Sequence, residues 1–160
     1  MPVRRKPAGR ARQRRVGGPF IRDSTVTGKG GTAAYGVRNL ATVTTPLHEL
    51  LSSKFSASNG TANYGIYSES ERLYIHNCSI GAVGSGAADY GIATGASYNA
   101  TLEVTRSHFF TLTHSVYVPA SATPTGRVAV SLLNRAVSAP AGSFACIGNF
   151  TAAYAPTTCP

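Results

Sequence analysis

Apolar residues return along this chain in three columns that keep step with one another. The first column precedes each polar or Gly-rich turn and reads Val26, Phe55, Ile80, Phe109 and Val137, at intervals of 29, 25, 29 and 28 residues. Five residues upstream of each lies another apolar residue: Ile21, Leu50, Ile75, Val104 and Leu132. Seven to twelve residues downstream comes a third set, Val37, Ile66, Ile92 and Val116. A small or polar pair separates the first two columns: Asp23-Ser24, Ser52-Ser53, Asn77-Cys78, Arg106-Ser107 and Asn134-Arg135. Around these anchors the pattern alternates with period two, the signature of a strand with one buried face. Leu73 and Ile75 face one way, with Tyr74 and His76 the other. Leu102 and Val104 face in with Glu103 out, and Val128, Val130 and Leu132 face in with Ala129 and Ser131 out.

A unit of 25–29 residues with three short strands cannot bury its apolar side alone. Stacked on copies of itself it can, with each residue about 4.8 Å above its counterpart. The expected fold is therefore all-β: a single-stranded parallel β-helix (solenoid) of about five coils. A small side chain fits a sharp corner between strands, and Gly91 in the recurrent "YGI" phrase suits a bend whose backbone angles a Cβ would forbid. An antiparallel sandwich also repeats short strands and turns, but it gives no reason for three columns to hold register together. One stretch, "PLHELLSSKF", is a candidate helical turn, with Pro46 in the first turn and Leu47, Leu50 and Leu51 on one face.

The composition fits this picture and adds one complication. The chain has 160 residues, 42% of them apolar, with 17 Gly and no Trp. That is one domain's worth of chain, rich in turn and strand formers. Its net charge of +9 is unevenly placed: residues 1–15 hold seven Lys or Arg and no acid, while the rest hold eight basic and six acidic residues. Residues 1–17 are expected to be a disordered basic tail, residues 18–138 the coils and 139–160 a capping segment. The tail reads either as an arm for nucleic acid or an anionic surface, or as a plain solvated extension. It lacks the aromatic residues that a single-strand binder interleaves with its charges, which makes nucleic acid an unlikely partner. It has no apolar run, so it is not a secretory signal, and no segment is long and apolar enough to span a membrane.

The sequence of "YGI", then "LYIHNCSIG", then a Gly-rich turn resembles the right-handed parallel β-helix proteins of the pectin-lyase-like superfamily. The resemblance runs from about Phe20 to Val137, and "FACIGNFTAAYAPTTCP" resembles the closing segment of some bacterial β-helix proteins. It implies a right-handed coil, an extracellular or cell-surface location, and polysaccharide as the partner class. The active-site signatures of the polygalacturonases and the acidic calcium cluster and paired arginines of the pectate lyases are absent, and nothing implies a cofactor. Cys78 falls in the small-residue column and reads as a buried thiol. Cys146 and Cys159 are expected to form a disulfide that closes the last coil; the alternative is two unpaired thiols, and a zinc site is improbable without nearby His or acidic ligands. A disulfide implies an oxidising compartment. The uncapped start near Phe20 fits either missing N-terminal coils or pairing with another copy.

Candidate chemistry gathers on outward positions. The column before Ile75 reads Phe20, Glu49, Tyr74, Glu103 and Ser131. It would set Glu49 and Glu103 roughly 9.6 Å apart, near the upper limit for an inverting glycosidase pair. Those two carboxylates are weak catalytic candidates; the polar outer face that every solenoid has is the favoured account of them. Tyr67, Tyr74 and Tyr117, with Arg72 and His76, are the candidate glycan-binding residues, since an exposed Tyr offers an apolar ring with a polar tip. Tyr35, Tyr64 and Tyr90 form a separate column that reads as a structural stack. The leading expectation is a non-catalytic module of an exported or cell-surface protein, contacting polysaccharide or protein through its side wall. The alternative is a carbohydrate-active enzyme, a glycoside hydrolase or polysaccharide lyase, or its inactive remnant.

Overall fold

The computed structural model describes residues 20–40, 48–69, 72–140, 144–151, 153 and 155–157. The basic tail expected at 1–17 lies outside them. Strands follow in triplets: β1 (Phe20–Arg22), β2 (Thr25–Lys29) and β3 (Ala33–Asn39); β4 (His48–Leu51), β5 (Lys54–Ser58) and β6 (Ala62–Ser68); β7 (Arg72–His76), β8 (Ser79–Val83) and β9 (Ala88–Thr94). They continue as β10 (Thr101–Thr105), β11 (His108–Thr111) and β12 (His114–Tyr117), then β13 (Thr125–Ala129), β14 (Leu132–Leu133) and β15 (Val137–Ser138). The chain closes with β16 (Phe144–Ile147), β17 (Asn149–Thr151) and β18 (Pro156–Thr157). Each strand from β1 to β17 pairs in parallel with its counterpart one triplet away. This builds three sheets: β1-β4-β7-β10-β13-β16, β18-β17-β14-β11-β8-β5-β2 and β15-β12-β9-β6-β3. The molecule is a parallel β-solenoid of about four turns, slightly shorter than the five coils expected.

The stacked columns are those of the sequence for most of the length. Ile21, Leu50, Ile75 and Val104 pair in register, as do Val26, Phe55, Ile80 and Phe109, and Val37, Ile66, Ile92 and Val116. Their side chains make the core; Phe55, Ile66, Ile80, Ile92, Val104, Phe109 and Val116 are fully buried. The final layer differs. Val104 pairs with Val128, not Leu132, and Val137 pairs with Val116 in the third column. His108 pairs with Leu132, which puts Leu133 in the core in register with Phe109. This layer follows the one before it by 24 residues at Val128 and 21 at Val137, against 25–29 and 24–29 earlier in those two columns, so the period that reads the other layers misplaces this one. The "PLHELLSSKF" stretch forms strands β4 and β5 across its described part, because Leu50 and Phe55 are needed in two different sheets.

The corner between the first two sheets has a recurring backbone solution. Its leading residue takes positive φ at Asp23, Ser52, Asn77, Arg106, Val130 and Gly148, all between 47° and 61°. Val130 therefore turns outward instead of into the core, and the fifth corner pair is Val130-Ser131, not Asn134-Arg135. The following residue is small because it points inward and bonds to the next layer. Ser24 N–H donates to Ser53 Oγ (3.1 Å), Cys78 N–H to Ser107 Oγ (3.2 Å), Ser107 N–H to Ser131 Oγ (3.2 Å) and Ser131 N–H to Asn149 Oδ1 (3.0 Å). The hydroxyls of Ser53, Ser107 and Ser131 donate back to the carbonyl two residues before. Cys78 stands in for serine, its Sγ donating to His76 O at 3.4 Å. Burial pushes the Cys78 thiol up in pKa, which keeps it protonated.

The glycines of the "YGI" phrase owe their place to crowding, not to unusual φ. A Cβ on Gly36 would lie 2.5 Å from Gly65 O, one on Gly65 2.7 Å from Gly91 O, and one on Gly91 2.6 Å from Ser115 O. Each backbone thus presses on the next layer's carbonyl, and none of the three has positive φ. A buried polar seam runs beside them. Asn63 Nδ2 donates to Asp89 Oδ1 (2.6 Å), and Gly84 N–H donates to Asp89 Oδ2 (3.2 Å). These partners allow a carboxylate with 1% exposure to sit inside the turn.

β16 and β17 extend the first two sheets into the segment expected to act as a cap, and β18 then folds back antiparallel on β17. Cys146 packs against the end of the core. The expected Cys146–Cys159 bridge cannot be placed within the fold, because Cys159 lies outside the described residues. No helix among the described residues is long and apolar enough to cross a membrane.

Candidate functional site

The sequence candidates divide between two sheets. Register places Phe20, Glu49, Tyr74 and Glu103 in one outward column of the first sheet. The next member is Arg127, not Ser131, which is buried at the corner. Arg127 Nη2 reaches Glu103 Oε2 at 3.1 Å. One of the two candidate carboxylates is therefore held by a guanidinium in the next layer, and Tyr74 stands between Glu49 and Glu103. His76 Nδ1 is 2.7 Å from Thr105 Oγ1 across layers. Arg72 pairs with Thr101 at the start of the same strands and is exposed.

Tyr67 and Tyr117 sit on the third sheet, among the tyrosines expected to form an independent stack. Tyr35, Tyr64, Tyr90 and His114 occupy one register column, and Arg38, Tyr67, Ala93 and Tyr117 the other. Tyr35 and Tyr64 stack at 5.1 Å and Tyr90 and Tyr117 at 4.6 Å, both pairs with rings 11° from parallel. Tyr67 packs edge-on against Tyr35 (5.7 Å) and Tyr64 (5.5 Å), and His114 meets both Tyr90 and Tyr117 at 5.8 Å. The Arg38 guanidinium lies 5.1 Å from the Tyr35 ring centre, within cation–π range. The result is a continuous half-buried aromatic stripe along the wall, ended by an arginine.

Two tyrosines three residues apart ordinarily point to opposite faces of a strand. Here Gly65 and Ile66 are both buried, which breaks the alternation and turns Tyr64 and Tyr67 to the same side. The "YGIY" spacing in the sequence is the one signal that could have joined the two sets. His114 and Arg38 carry no such signal.

The stripe changes the chemistry of its phenols. Burial, followed by the hydrogen bond to Glu69 and that carboxylate's charge, pushes Tyr67 up to about 12. Its OH donates to Glu69 Oε1 at 3.0 Å. Tyr64 is raised mainly by burial and then by its neighbours Tyr35, Tyr90 and Tyr117, and Tyr90 by burial and Tyr117. These phenols are held in the neutral form. Beside Glu69 opens a cleft of about 340 Å³ lined by Gly95, Ala96, Ser97 and Tyr98. A Cβ on Gly95 would lie 2.8 Å from Glu69 Cγ and 3.5 Å from Tyr67 Oη, so the cleft adjoins the stripe.

The fold and this wall define a parallel β-solenoid protein with an aromatic side face. No protein-family model, curated protein or solved structure matches the chain.

Proposed function

We propose that this protein is a non-catalytic β-solenoid module of an exported or cell-surface protein that binds polysaccharide along the Tyr35–Tyr117 stripe. The reading includes the pectin-lyase-like kinship and right-handed coil implied by the sequence pattern, and a Cys146–Cys159 closure of the last layer. One observation carries it: six rings and Arg38 run together along one sheet of a rigid wall. Tyr rings offer apolar surface to the C–H faces of sugars, and their hydroxyls donate to sugar oxygens. The Tyr67–Glu69 pair and the adjoining cleft add an acceptor for sugar hydroxyls at one margin. A linear glycan is suited because the stripe repeats at about the 4.8 Å layer spacing.

A glycan array screened with the intact chain tests this, followed by calorimetric titration of any hit. Tyr117→Ala and Tyr67→Ala are expected to weaken binding at least tenfold. Tyr74→Ala, on the first sheet, is expected to leave it unchanged. An array with no hit, or a hit lost through Tyr74 and not Tyr117, overturns the reading.

A further inference from the structure

The second sheet carries a feature that neither the repeat nor the aromatic stripe explains. None of its strands, β2, β5, β8, β11, β14, β17 and β18, contains Asp or Glu. Its outer face changes character along the axis. The first layers present Thr25, Thr27, Lys29, Lys54, Ser56 and Ser58. Later layers present large apolar side chains: Val83, Phe110, Leu112 and Phe150, each 40–50% exposed. Val83, Phe110 and Leu112 cluster together, while Phe150 sits apart, two layers beyond His108. Thr111 pairs with Ala82, which sets Leu112 beside Val83, and His108, Leu132 and Phe150 pair in sequence across three layers. The exposed parts of Val83, Phe110 and Leu112 amount to something on the order of 250 Å² of apolar surface, close to the largest patch of a typical monomer, which is often functional. Exposed cations share the face and its margins: Lys29 and Lys54 in the strands, Arg106 at a corner, Arg135 beyond β14. Three acids face elsewhere, Glu49 and Glu103 on the first sheet and Glu69 beside the third, Asp89 is buried, and Asp23 sits at the first corner, at the far end from Phe110.

Such a face needs an occupant that is both anionic and able to accept apolar side chains. A second copy fits poorly. The patch falls well short of the roughly 800 Å² per partner of a stable protein interface, and apposed copies would bring like charges together. The shallow depression at the sheet's first corner is lined by Asp23, Thr25, Lys54 and Ser79, polar side chains that offer no apolar seat for a peptide. We propose that the second sheet docks on an anionic phospholipid surface. Phe110 and Leu112 enter the boundary between headgroups and acyl chains, and the lysines and arginines face the phosphates. Apolar insertion and electrostatic attraction to anionic lipid together give reversible surface binding. The face is separate from the aromatic stripe, so a solenoid seated this way leaves the third sheet open.

Co-sedimentation of the full chain with large unilamellar vesicles tests the proposal. One set is pure phosphatidylcholine; the other contains about three parts in ten phosphatidylserine. The protein is expected to pellet with the anionic vesicles at about 0.1 M salt and to be released at several-fold higher salt. The double variant Phe110→Ser/Leu112→Ser is expected to lower the partition coefficient roughly tenfold or more. It keeps the basic residues 1–15, so charge on the tail cannot account for the loss. Lys29→Glu/Lys54→Glu, which leaves the apolar patch intact, is expected to lower it as well, and Tyr117→Ala to leave it unchanged. Circular dichroism melts verify that each variant folds. Failure to pellet with anionic vesicles, or equal pelleting by the Phe110/Leu112 variant, overturns the proposal. So does a concentration-dependent dimer, in sedimentation velocity, that the same variant abolishes, for then a second copy covers the face.

Discussion

Adding one methyl group to the second sheet's Gly81 or to the third sheet's Gly91 separates the solenoid's packing from simple glycine flexibility. Both glycines lie within strands and neither has positive φ. On Gly91 a Cβ would lie 2.6 Å from Ser115 O and 2.6 Å from Phe109 Cδ1. Carbon contacts are optimal at about 3.5–4.0 Å, so the methyl group overlaps its neighbours by roughly 1 Å. One obstacle is the backbone of the next layer, which the ladder holds at about 4.8 Å, and the other is a fully buried ring. Neither can retreat without breaking hydrogen bonds or moving the core. Gly91→Ala is therefore expected to destabilise by about 3 kcal/mol, the upper part of the overpacking range. On Gly81 the nearest atom is Phe110 O at 3.6 Å, an ordinary contact. Gly81→Ala is expected to be neutral or to stabilise by about 0.5 kcal/mol, since alanine loses less backbone entropy on folding. Urea unfolding followed by far-ultraviolet circular dichroism reads both, with the slope checked for constancy. If Gly91→Ala unfolds at the wild-type midpoint, or Gly81→Ala falls as far as Gly91→Ala, the layer-to-layer crowding is not real.

Other consequences are open to measurement. Cys78 occupies a serine position in the corner ladder, so Cys78→Ser is expected to change stability by less than about 1 kcal/mol, whereas Cys78→Leu overpacks the corner and costs about 2–3 kcal/mol; urea midpoints distinguish them. The raised Tyr67 has a definite linkage sign. Its folded pKa of about 12 lies above the unfolded value of 10.0, so the stabilisation it gives is complete below pH 10 and is lost as pH rises towards 12. Ultraviolet difference titration is expected to show tyrosines ionising above pH 10 together with loss of the fold, and Tyr67→Phe is expected to move that loss to higher pH. Normal ionisation of every tyrosine in a still-folded chain would contradict the buried stripe.

How much of the wall was legible depends on which physical constraint wrote it. Glu49, Tyr74 and Glu103 were readable as one column because strict alternation and layer spacing fix outward neighbours once the inward ones are known. Arg127 was missed because its layer follows the one before by only 24 residues, which shifts the register away from the earlier period, and with it went the ion pair that engages Glu103. Tyr67 and Tyr117 were picked out as outward residues, but their stacking with Tyr64 and Tyr90 depends on a local break in alternation at the glycine column. The apolar part of the second sheet was hidden for a related reason: Val83, Phe110 and Leu112 sit among core residues in the sequence and are set apart only by which way each side chain points.

The amino-acid sequence alone determined that this chain winds in parallel layers, because a core built from repeated short strands must place like residues over like, and that requirement is written in spacing. It also determined the small residue at the first four corners and the glycine that follows each tyrosine of the repeat, although not the reason for the glycine. Only the tertiary structure decided which outward residues share a face, since that follows from positive-φ corners, crowded backbones and turn lengths, none of which leaves an apolar period to read.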